Sequence, residues 1–191
     1  VGLRDGSPSL ERAKSDGIST ATLTDVARSS DVVMLLAPDE ALAAIYREVE
    51  PHLRQGAAIG FSHGLAIRFG FIIPRSDLDV FMIAPKGPGT ALRSLYLEGK
   101  GMVALYAVEQ NASGTAEAIA LAYGQALGCA RAGILASSFA EECEADLFNE
   151  QAVLWGAIPE LILAGYETLT EAGFSPEIAY FECLTEVKLL A

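Results

Sequence analysis

Two patterns in the sequence predict an α/β fold, in which a doubly wound parallel sheet is followed by an all-α domain. As far as residue 137, short apolar runs alternate with helical patterns, and this alternation is typical of a parallel sheet flanked by helices. From residue 138 onward only helical patterns remain. The chain has 191 residues, of which 51% are hydrophobic, so it can bury a sizeable core. We therefore expect one domain over residues 1–137 and the start of a second over residues 138–191.

Strands are predicted where apolar residues run together. Several of the runs are continuous, which favours a sheet that is buried on both faces. The predicted strands are Ile18–Thr20, Asp31–Ala37, Ala57–Phe61, Leu78–Ala84, Met102–Val108 and a short run at Gly133–Ala136.

Helices are predicted from their start and stop signals. Ser7 and Pro8 are typical of an N-cap followed by the first helical residue, and Gly17 is typical of a helix end. Another helix is expected over Ser113–Leu127. The helical domain is predicted to contain helices over Ser138–Gly156, Ile158–Ala172 and Ser175–Ala191.

Charge and composition narrow the classes of partner. The net charge of −12 disfavours nucleic acid and anionic membrane surfaces, because like charges repel. No apolar run approaches the roughly 20 residues that span a bilayer. The first residues lack the features of a signal peptide, so we expect a cytoplasmic location, or an organellar stroma or matrix in a eukaryote. Cys129, Cys143 and Cys183 have no zinc or redox spacing and are expected to be buried thiols.

Arg4, Ser7 and Ser9 could bind an anion just after the first apolar residues. In a Rossmann-like dinucleotide-binding fold, the end of the second strand meets the adenosine ribose, where an arginine favours the 2′-phosphate of NADP. The alternative is an ordinary helix cap beside a surface arginine, and these residues alone leave both interpretations open. The glycine-rich pyrophosphate turn of such a fold would precede Val1.

Three further loops follow predicted strands, at the edge of the sheet where ligands bind. One carries Asp39 and Glu40, the next carries His63, and the third carries Lys86 between prolines and glycines. His63 could donate a proton or orient another group, or it could be purely structural. Lys86 is expected to contact an anionic group of a substrate or cofactor, because the loop holds its ammonium near one place.

Two pairs of carboxylates in the helical region are each spaced by one helical turn. Asp146 and Glu150 form the first pair, and Glu182 and Glu186 form the second. Like charges at this spacing repel, and Asp146 and Glu150 lie among apolar residues, so a hard cation such as magnesium would stabilise them. The alternative is a solvated acidic helix face. That alternative fits the neighbouring residues Glu141, Glu142 and Glu144.

Six motifs, read in order along the chain, resemble the ketol-acid reductoisomerase family. They are Leu-Arg-Asp-Gly-Ser-Pro-Ser, Pro-Asp-Glu, Phe-Ser-His-Gly, Ala-Pro-Lys-Gly-Pro-Gly, Glu-Ala-Asp-Leu-Phe-Asn-Glu-Gln and Ala-Tyr-Phe-Glu-Cys-Leu-Thr-Glu. The resemblance covers essentially the whole chain and indicates the short form of the family. It implies conversion of 2-acetolactate or 2-aceto-2-hydroxybutyrate into the dihydroxy acids of valine and isoleucine synthesis, with NADPH and two magnesium ions.

The resemblance also implies roles for individual residues. His63 and Lys86 match the active-site histidine and lysine. The implied cofactor-binding residues are Arg4, Ser7, Ser9, Asp39, Glu40 and Gly89. The implied metal ligands are Asp146, Glu150, Glu182 and Glu186. The family further implies a knotted helical domain and a homodimer or higher homo-oligomer, with an active site that is shared across the interface.

The chain departs from the family pattern in several places. A usual glutamine, glycine and histidine of the family are replaced by Leu42, Asn149 and Thr185. Cofactor binding is therefore expected to differ, although no metal ligand is lost. The glycine-rich turn and a substrate-binding serine fall outside residues 1–191, so this segment alone is expected to be inactive. Two other hypotheses stay open. One is a non-catalytic remnant that retains the helical dimerisation surface, and the other is a different NADP-dependent hydroxy-acid dehydrogenase.

Overall fold

The computed structural model describes residues 1–4 and 6–190. The chain forms two compact units, Val1–Cys143 and Glu144–Ala191. The first unit is an α/β structure and the second is helical, as the sequence predicts. The two units divide inside a helix, Phe139–Phe148, which begins one residue after the expected boundary at residue 138.

A five-stranded sheet forms the centre of the first unit. The strands are β1 Val32–Leu35, β2 Ala58–Phe61, β3 Asp79–Pro85, β4 Ala104–Asn111 and β5 Ile134–Ala136, and they lie side by side in this order. The pairs β1–β2, β2–β3 and β4–β5 are parallel, whereas β3 and β4 are antiparallel. The predicted parallel sheet is thus confirmed, except that one of its four strand pairs is antiparallel. The apolar pattern does not reveal that pair, because a strand buries the same residues in either direction.

Five of the six predicted apolar runs overlap these strands, although β3 and β4 extend beyond their predicted ends to Pro85 and Asn111. The prediction for Ile18–Thr20 is wrong, because these residues form no strand and only an isolated parallel bridge joins Gly2 to Ala21 nearby. Ile18 is 49% exposed. The segment therefore lacks the burial on both faces that stabilises the central strands.

Six α-helices lie wholly within the described part of the first unit. They are α1 Ser9–Ser15, α2 Leu23–Ser29, α3 Asp39–Val49, α4 Leu65–Arg68, α5 Gly89–Leu97 and α6 Ala116–Ala126. The start predicted at Ser7 is nearly right, since the Ser7 hydroxyl accepts a hydrogen bond from the Ser9 N–H at 3.3 Å. Gly17 follows α1 with a φ of +69°, a left-handed conformation that glycine adopts without steric cost.

The sheet is covered on both faces, as the continuous apolar strands require. Val80 and Met82 of β3 lie in a core with residues of α3, whereas Phe81 and Ile83 lie in a second core with residues of α6. Adjacent residues of one strand thus point into different cores. This double coverage makes the sheet a rigid platform for the loops at its edges.

The second unit continues from α7, Phe139–Phe148, into irregular helical backbone. The elements are a π-helical segment Asn149–Ala157, α8 Ile158–Glu171, α9 Pro176–Tyr180, a second π-helical segment Phe181–Thr185 and α10 Glu186–Leu190. Two of the three predicted α-helices are therefore interrupted, and Ala191 lies outside the described residues. The periodicity of apolar residues does not reveal a local change from i→i+4 to i→i+5 hydrogen bonding. No helix of the described residues is long and apolar enough to cross a membrane.

The predicted burial of the thiols is only partly right. Cys129 and Cys143 are buried, whereas Cys183 is half-buried. Cys183 lines a shallow apolar cavity between α8 and the second π-helical segment.

Hydrogen bonds from Arg75 link neighbouring loops at the edge of the sheet where β3 begins. Its guanidinium donates to the carbonyl oxygen of Glu50 at 2.7 Å and to both carboxylate oxygens of Asp77 at 2.9 Å. The Tyr46 hydroxyl accepts from the Arg75 N–H at 3.1 Å, and burial raises the pKa of Tyr46 to about 12. These contacts fix the loop before β3 against the end of α3.

We predict that Asp77→Asn destabilises the protein in a pH-dependent way. The hydrogen bonds from Arg75 lower the pKa of Asp77 to about 2, so its stabilising effect is complete above the unfolded-state pKa near 4 and disappears as pH falls through about 2. Urea unfolding at pH 6 should show a loss of about 1 kcal/mol, reduced by partial exposure of the pair. The difference from the wild type should shrink between pH 4 and pH 2.

The control is Asp31→Asn, since Asp31 also pairs with an arginine but its side chain is 86% exposed. This variant should differ little from the wild type at any pH. A loss at Asp77 that is the same at pH 6 and pH 2 would contradict the ionic interpretation.

Candidate active site

Three polar groups meet where β2 and β3 end. His63 follows β2, and Lys86 follows β3. Both side chains contact Glu142 of α7: His63 Nδ1 lies 3.0 Å from Oε2, and Lys86 Nζ lies 2.8 Å from Oε1. The sequence predicted His63 and Lys86 as site residues, and the fold brings them to the same carboxylate.

Glu142 is the centre of this cluster. Only 2% of it is exposed, and it also accepts a hydrogen bond from the Gly64 N–H at 2.8 Å. Burial raises the pKa of Glu142, but the hydrogen bonds from His63, Lys86 and Gly64 outweigh burial and hold this pKa below its usual value. The carboxylate is therefore charged at neutral pH and lies within hydrogen-bonding distance of the His63 imidazole, the Lys86 ammonium and the Gly64 N–H.

The interpretation of Glu142 as part of a solvated acidic face is wrong. The adjacent residue Glu141 is exposed, and its carboxylate accepts a hydrogen bond from the Ser137 hydroxyl. The helical pattern alone does not separate the two residues, because both lie in the same acidic run. The spacing of the acidic residues could have distinguished Glu142 from Glu141. Glu142 lies four residues, or about one helical turn, before Asp146, so it extends the series Asp146, Glu150 by one turn toward the N terminus.

Gly64 allows α7 to approach the end of β2 closely. A Cβ atom at Gly64 would lie 2.1 Å from the Phe139 carbonyl oxygen and 3.1 Å from Cys143 Cβ. The Phe61 and Phe139 rings also pack edge to face, with centroids 6.0 Å apart. The absence of a side chain at Gly64 thus lets its N–H reach Glu142.

The four predicted metal ligands all lie in the second unit. Asp146 is half-buried near the end of α7, and Glu150 is exposed in the first π-helical segment. Glu182 and Glu186 are exposed, in the second π-helical segment and at the start of α10. Each pair thus spans a junction between α-helical and π-helical backbone.

The predicted cofactor residues separate into two groups. Arg4, Ser7 and Ser9 line a cavity of about 380 Å³ that also includes Pro38 and Leu42. Leu42, which replaces a usual glutamine, is buried and gives this cavity an apolar wall.

The remaining cofactor residues are not among those that line this cavity. Asp39 and Glu40 are exposed in the first turn of α3 and are not among its lining residues. Gly89 begins α5 and lines a second cavity of about 330 Å³, together with Ser62 and Gly87. That second cavity lies at the ends of β2 and β3, as expected for a ligand site of a parallel sheet.

Comparison with known protein families accounts for both units. Residues 1–133 match the model of the acetohydroxy acid isomeroreductase NADPH-binding domain. Residues 139–191 match the model of the ketol-acid reductoisomerase C-terminal domain. The chain belongs to the ketol-acid reductoisomerase family. It therefore carries this family's nicotinamide-cofactor domain, with a Rossmann-like fold, and helices of its C-terminal domain.

A solved ketol-acid reductoisomerase is similar along nearly the whole chain. It is an NADH-preferring enzyme from an uncultured archean, with 47% sequence identity and a TM-score of 0.92 over 99% of this chain. The match covers 58% of that reductoisomerase, so this chain spans less than two thirds of its relative.

More distant structures share the fold alone. A semialdehyde dehydrogenase NAD-binding protein from Cupriavidus necator has 18% identity and a TM-score of 0.68, over 94% of this chain and 68% of that one. A pyrroline-5-carboxylate reductase from Coxiella burnetii has 12% identity and a TM-score of 0.58, over 92% of this chain and 61% of that one.

We predict that Glu142→Gln lowers the free energy of unfolding by about 2–4 kcal/mol, because it replaces a buried charge and weakens charge-assisted hydrogen bonds from His63 and Lys86. Urea unfolding at pH 7 measures this loss. The matched control is Glu141→Gln, which changes an exposed neighbour by the same chemistry and should cost less than about 1 kcal/mol. Equal losses in the two variants would contradict the central position of Glu142.

Proposed function

We propose that the whole protein is a magnesium-dependent ketol-acid reductoisomerase that acts on 2-acetolactate or 2-aceto-2-hydroxybutyrate. The observation that carries this proposal is the buried Glu142 carboxylate, which joins His63 and Lys86 at the ligand-binding edge of a nicotinamide-cofactor domain. Membership of the family supports the reaction. The substrate loses a hydroxyl proton, its alkyl group migrates to the neighbouring carbon, and hydride reduces the resulting ketone to the dihydroxy acid.

The donor set of the second unit fits magnesium. Asp146, Glu150, Glu182 and Glu186 offer only carboxylate oxygens, which are the ligands that a small hard cation prefers. When bound, two such ions supply polarisation of the substrate's oxygens, and the nicotinamide supplies hydride. The carboxylates of each pair repel one another in the absence of a cation, which favours ion binding over an empty acidic helix.

Residues of the first unit orient the substrate and position groups that can exchange protons with it. The Glu142 carboxylate fixes the Lys86 ammonium at 2.8 Å, where a positive charge can hold an anionic substrate oxygen. The same carboxylate fixes the His63 ring through Nδ1 and favours the form that carries a proton there. Because Glu142 stays ionised, it keeps both groups in place throughout the reaction.

We favour NADPH as the cofactor. Arg4, Ser7 and Ser9 place a guanidinium and two hydroxyl side chains at one cavity, a combination suited to a phosphate group. The similar archaeal enzyme prefers NADH, whereas the family model that matches residues 1–133 is that of an NADPH-binding domain. Arg4 is the residue on which the choice is expected to depend in this chain.

The second unit is expected to pair with a second copy. Of its described residues only Ala179 is buried, whereas many large apolar side chains are at least half exposed. Examples with exposures above 50% are Phe148, Trp155, Leu161, Phe174, Ile178, Phe181 and Leu189. So much apolar surface on one helical unit is typical of an interface. A homodimer, or a larger homo-oligomer, would cover it and could bring Glu182 and Glu186 to a site on the partner.

We predict that Asp146→Asn abolishes magnesium-dependent oxidation of NADPH by 2-acetolactate in the whole protein. A loss of at least about 1000-fold is expected, because the developing charge on substrate oxygens would lose several kcal/mol of stabilisation. Glu160→Gln, an exposed acidic residue of α8, is the control and should remain near wild-type activity. Full activity of Asp146→Asn, or indifference to chelator, would favour a hydroxy-acid dehydrogenase with solvated acidic helices.

Mixing two inactive variants tests whether the site is shared between copies. After subunit exchange, Asp146→Asn and Glu186→Gln chains should regain about a quarter of the wild-type activity, because half of the dimers are hybrids and each hybrid has one intact site. No recovery, with hybrids verified by native mass, would place both carboxylates of a site on one chain.

We predict that Arg4→Ala weakens NADPH binding by about 10-fold or more and leaves NADH binding within about 3-fold, since a hydrogen bond to a charged group contributes about 1.5–3 kcal/mol. Fluorescence titration with each cofactor measures both affinities. Arg12→Ala removes an exposed arginine of α1 that lies near Asp16 instead, and it should change neither affinity. If Arg4→Ala lowered the affinities for NADPH and NADH equally, Arg4 would not be the residue that recognises the 2′-phosphate.

A further inference from the structure

The long helix of the second unit changes its hydrogen-bonding pattern near its middle. Helical backbone continues from α7 through the first π-helical segment, Asn149–Ala157, into α8. At the end of that segment, the Ile158 N–H donates to the Val153 carbonyl, five residues back instead of four. π-Helical backbone is rare and is mostly confined to single turns. A stretch of this length therefore needs a cause in the sequence.

Pro159 explains why the α-helical pattern is unfavourable here. Proline has no N–H to donate, and inside an α-helix its ring collides with the carbonyl four residues earlier, which in this chain is that of Trp155. Pro159 lies two residues after the end of the π-helical segment, within helical backbone that continues on both sides. It is exposed, so core packing does not account for it. A wider turn just before Pro159 gives its ring room.

Gly156 makes the π-helical pattern possible. A Cβ atom at this position would collide with the Gln151 carbonyl oxygen, again five residues back. Glycine avoids this collision because it has no Cβ atom. Gln151 directly follows Glu150 in the chain. The space at Gly156 thus determines where the backbone beside the Glu150 carboxylate can lie.

The change of pattern falls inside the first carboxylate pair. Asp146 belongs to α7, whereas Glu150 is the second residue of the π-helical segment. In an α-helix each residue advances by about 100°, so a side chain four positions later is rotated by about 40° beyond the first. A wider turn advances less per residue and reduces this offset. Glu150 therefore leaves the helix in a direction, relative to Asp146, that a continuous α-helix would not provide.

The second carboxylate pair has the same relation to π-helical backbone. Glu182 is the second residue of the second π-helical segment, Phe181–Thr185, and Glu186 follows that segment directly. The Glu186 N–H donates to the Phe181 carbonyl, which is also five residues back. π-Helices contain fewer than about 1% of the residues of soluble proteins and are frequent at functional sites. Their presence at both pairs favours a common role, which is to direct carboxylates.

We propose that Pro159 and Gly156 are positioning residues for the cation site of the first pair. Together they hold Asn149–Ala157 in the π-helical form, and this form sets the direction of Glu150 relative to Asp146. Neither side chain offers a ligand atom, so both residues act through the backbone. The inference rests on the proposed function, because it takes magnesium as the cation that this pair binds.

Pro159→Ala tests the inference in a variant that should remain stable. The new N–H can donate to the Trp155 carbonyl, so the α-helical pattern becomes favourable and extends back toward Glu150. Titration calorimetry of the whole protein with magnesium chloride alone should show binding that is weaker by about 10-fold or more. The midpoint of urea unfolding should stay equal or rise. A proline with a purely structural role would not combine these two results.

Pro176→Ala is the matched control. Pro176 is also exposed, but it occupies the first position of α9, where the missing N–H has no partner within the helix. Its replacement should therefore leave the magnesium affinity unchanged.

Gly156→Ala tests the second positioning residue. The added methyl group would displace the Gln151 carbonyl and the neighbouring backbone of Glu150, so magnesium binding should again weaken by about 10-fold or more. NADPH binding depends on the first unit and should be unchanged in both variants. Fluorescence titration with NADPH measures this, and it separates a misdirected carboxylate from a general loss of structure.

Wild-type magnesium affinity in either variant would overturn the proposal, because the π-helical form would then not direct Glu150. Equal weakening of magnesium and NADPH binding would also overturn it, since the effect would belong to the fold as a whole. A different result would refute the proposed function itself. If Asp146→Asn left magnesium binding unchanged, the first pair would not be the cation site, and the premise of this inference would fail with it.

Discussion

The buried charge of Glu142 is the constraint on which the candidate site depends. A carboxylate that is 2% exposed is stable as an anion only if donors surround it, and here an ammonium, an imidazole and a backbone N–H do so. These donors come from the loops after β2 and β3. The carboxylate therefore fixes two loops and one helix relative to each other, and it fixes the charge state that a polar substrate would meet.

The glycine next to His63 makes this arrangement sterically possible. Gly64 leaves room for the Phe139 carbonyl where any side chain would collide. The rigid sheet, covered on both faces, then holds the ends of β2 and β3 at constant separation. Positioning of the His63 and Lys86 side chains thus results from close packing as much as from charge.

The described residues of the helical unit leave a large apolar surface exposed. Trp155, Leu161 and Leu189 are each more than 70% exposed. Exposed apolar patches of this kind are typical of protein–protein interfaces. A second copy of the chain is the partner that we propose for this surface.

The sequence alone determined the α/β class, the order of the units and five of the strands, and it predicted His63 and Lys86 as site residues. Apolar runs, caps and motif order carry this information because they act locally along the chain. Only the tertiary structure decided that β4 is antiparallel to β3, that Ile18–Thr20 form no strand, and that Glu142 is buried while Glu141 is exposed. Such choices depend on contacts between residues far apart in sequence: His63 and Glu142 are separated by 79 positions, and only folding brings their opposite chemistries within hydrogen-bonding distance.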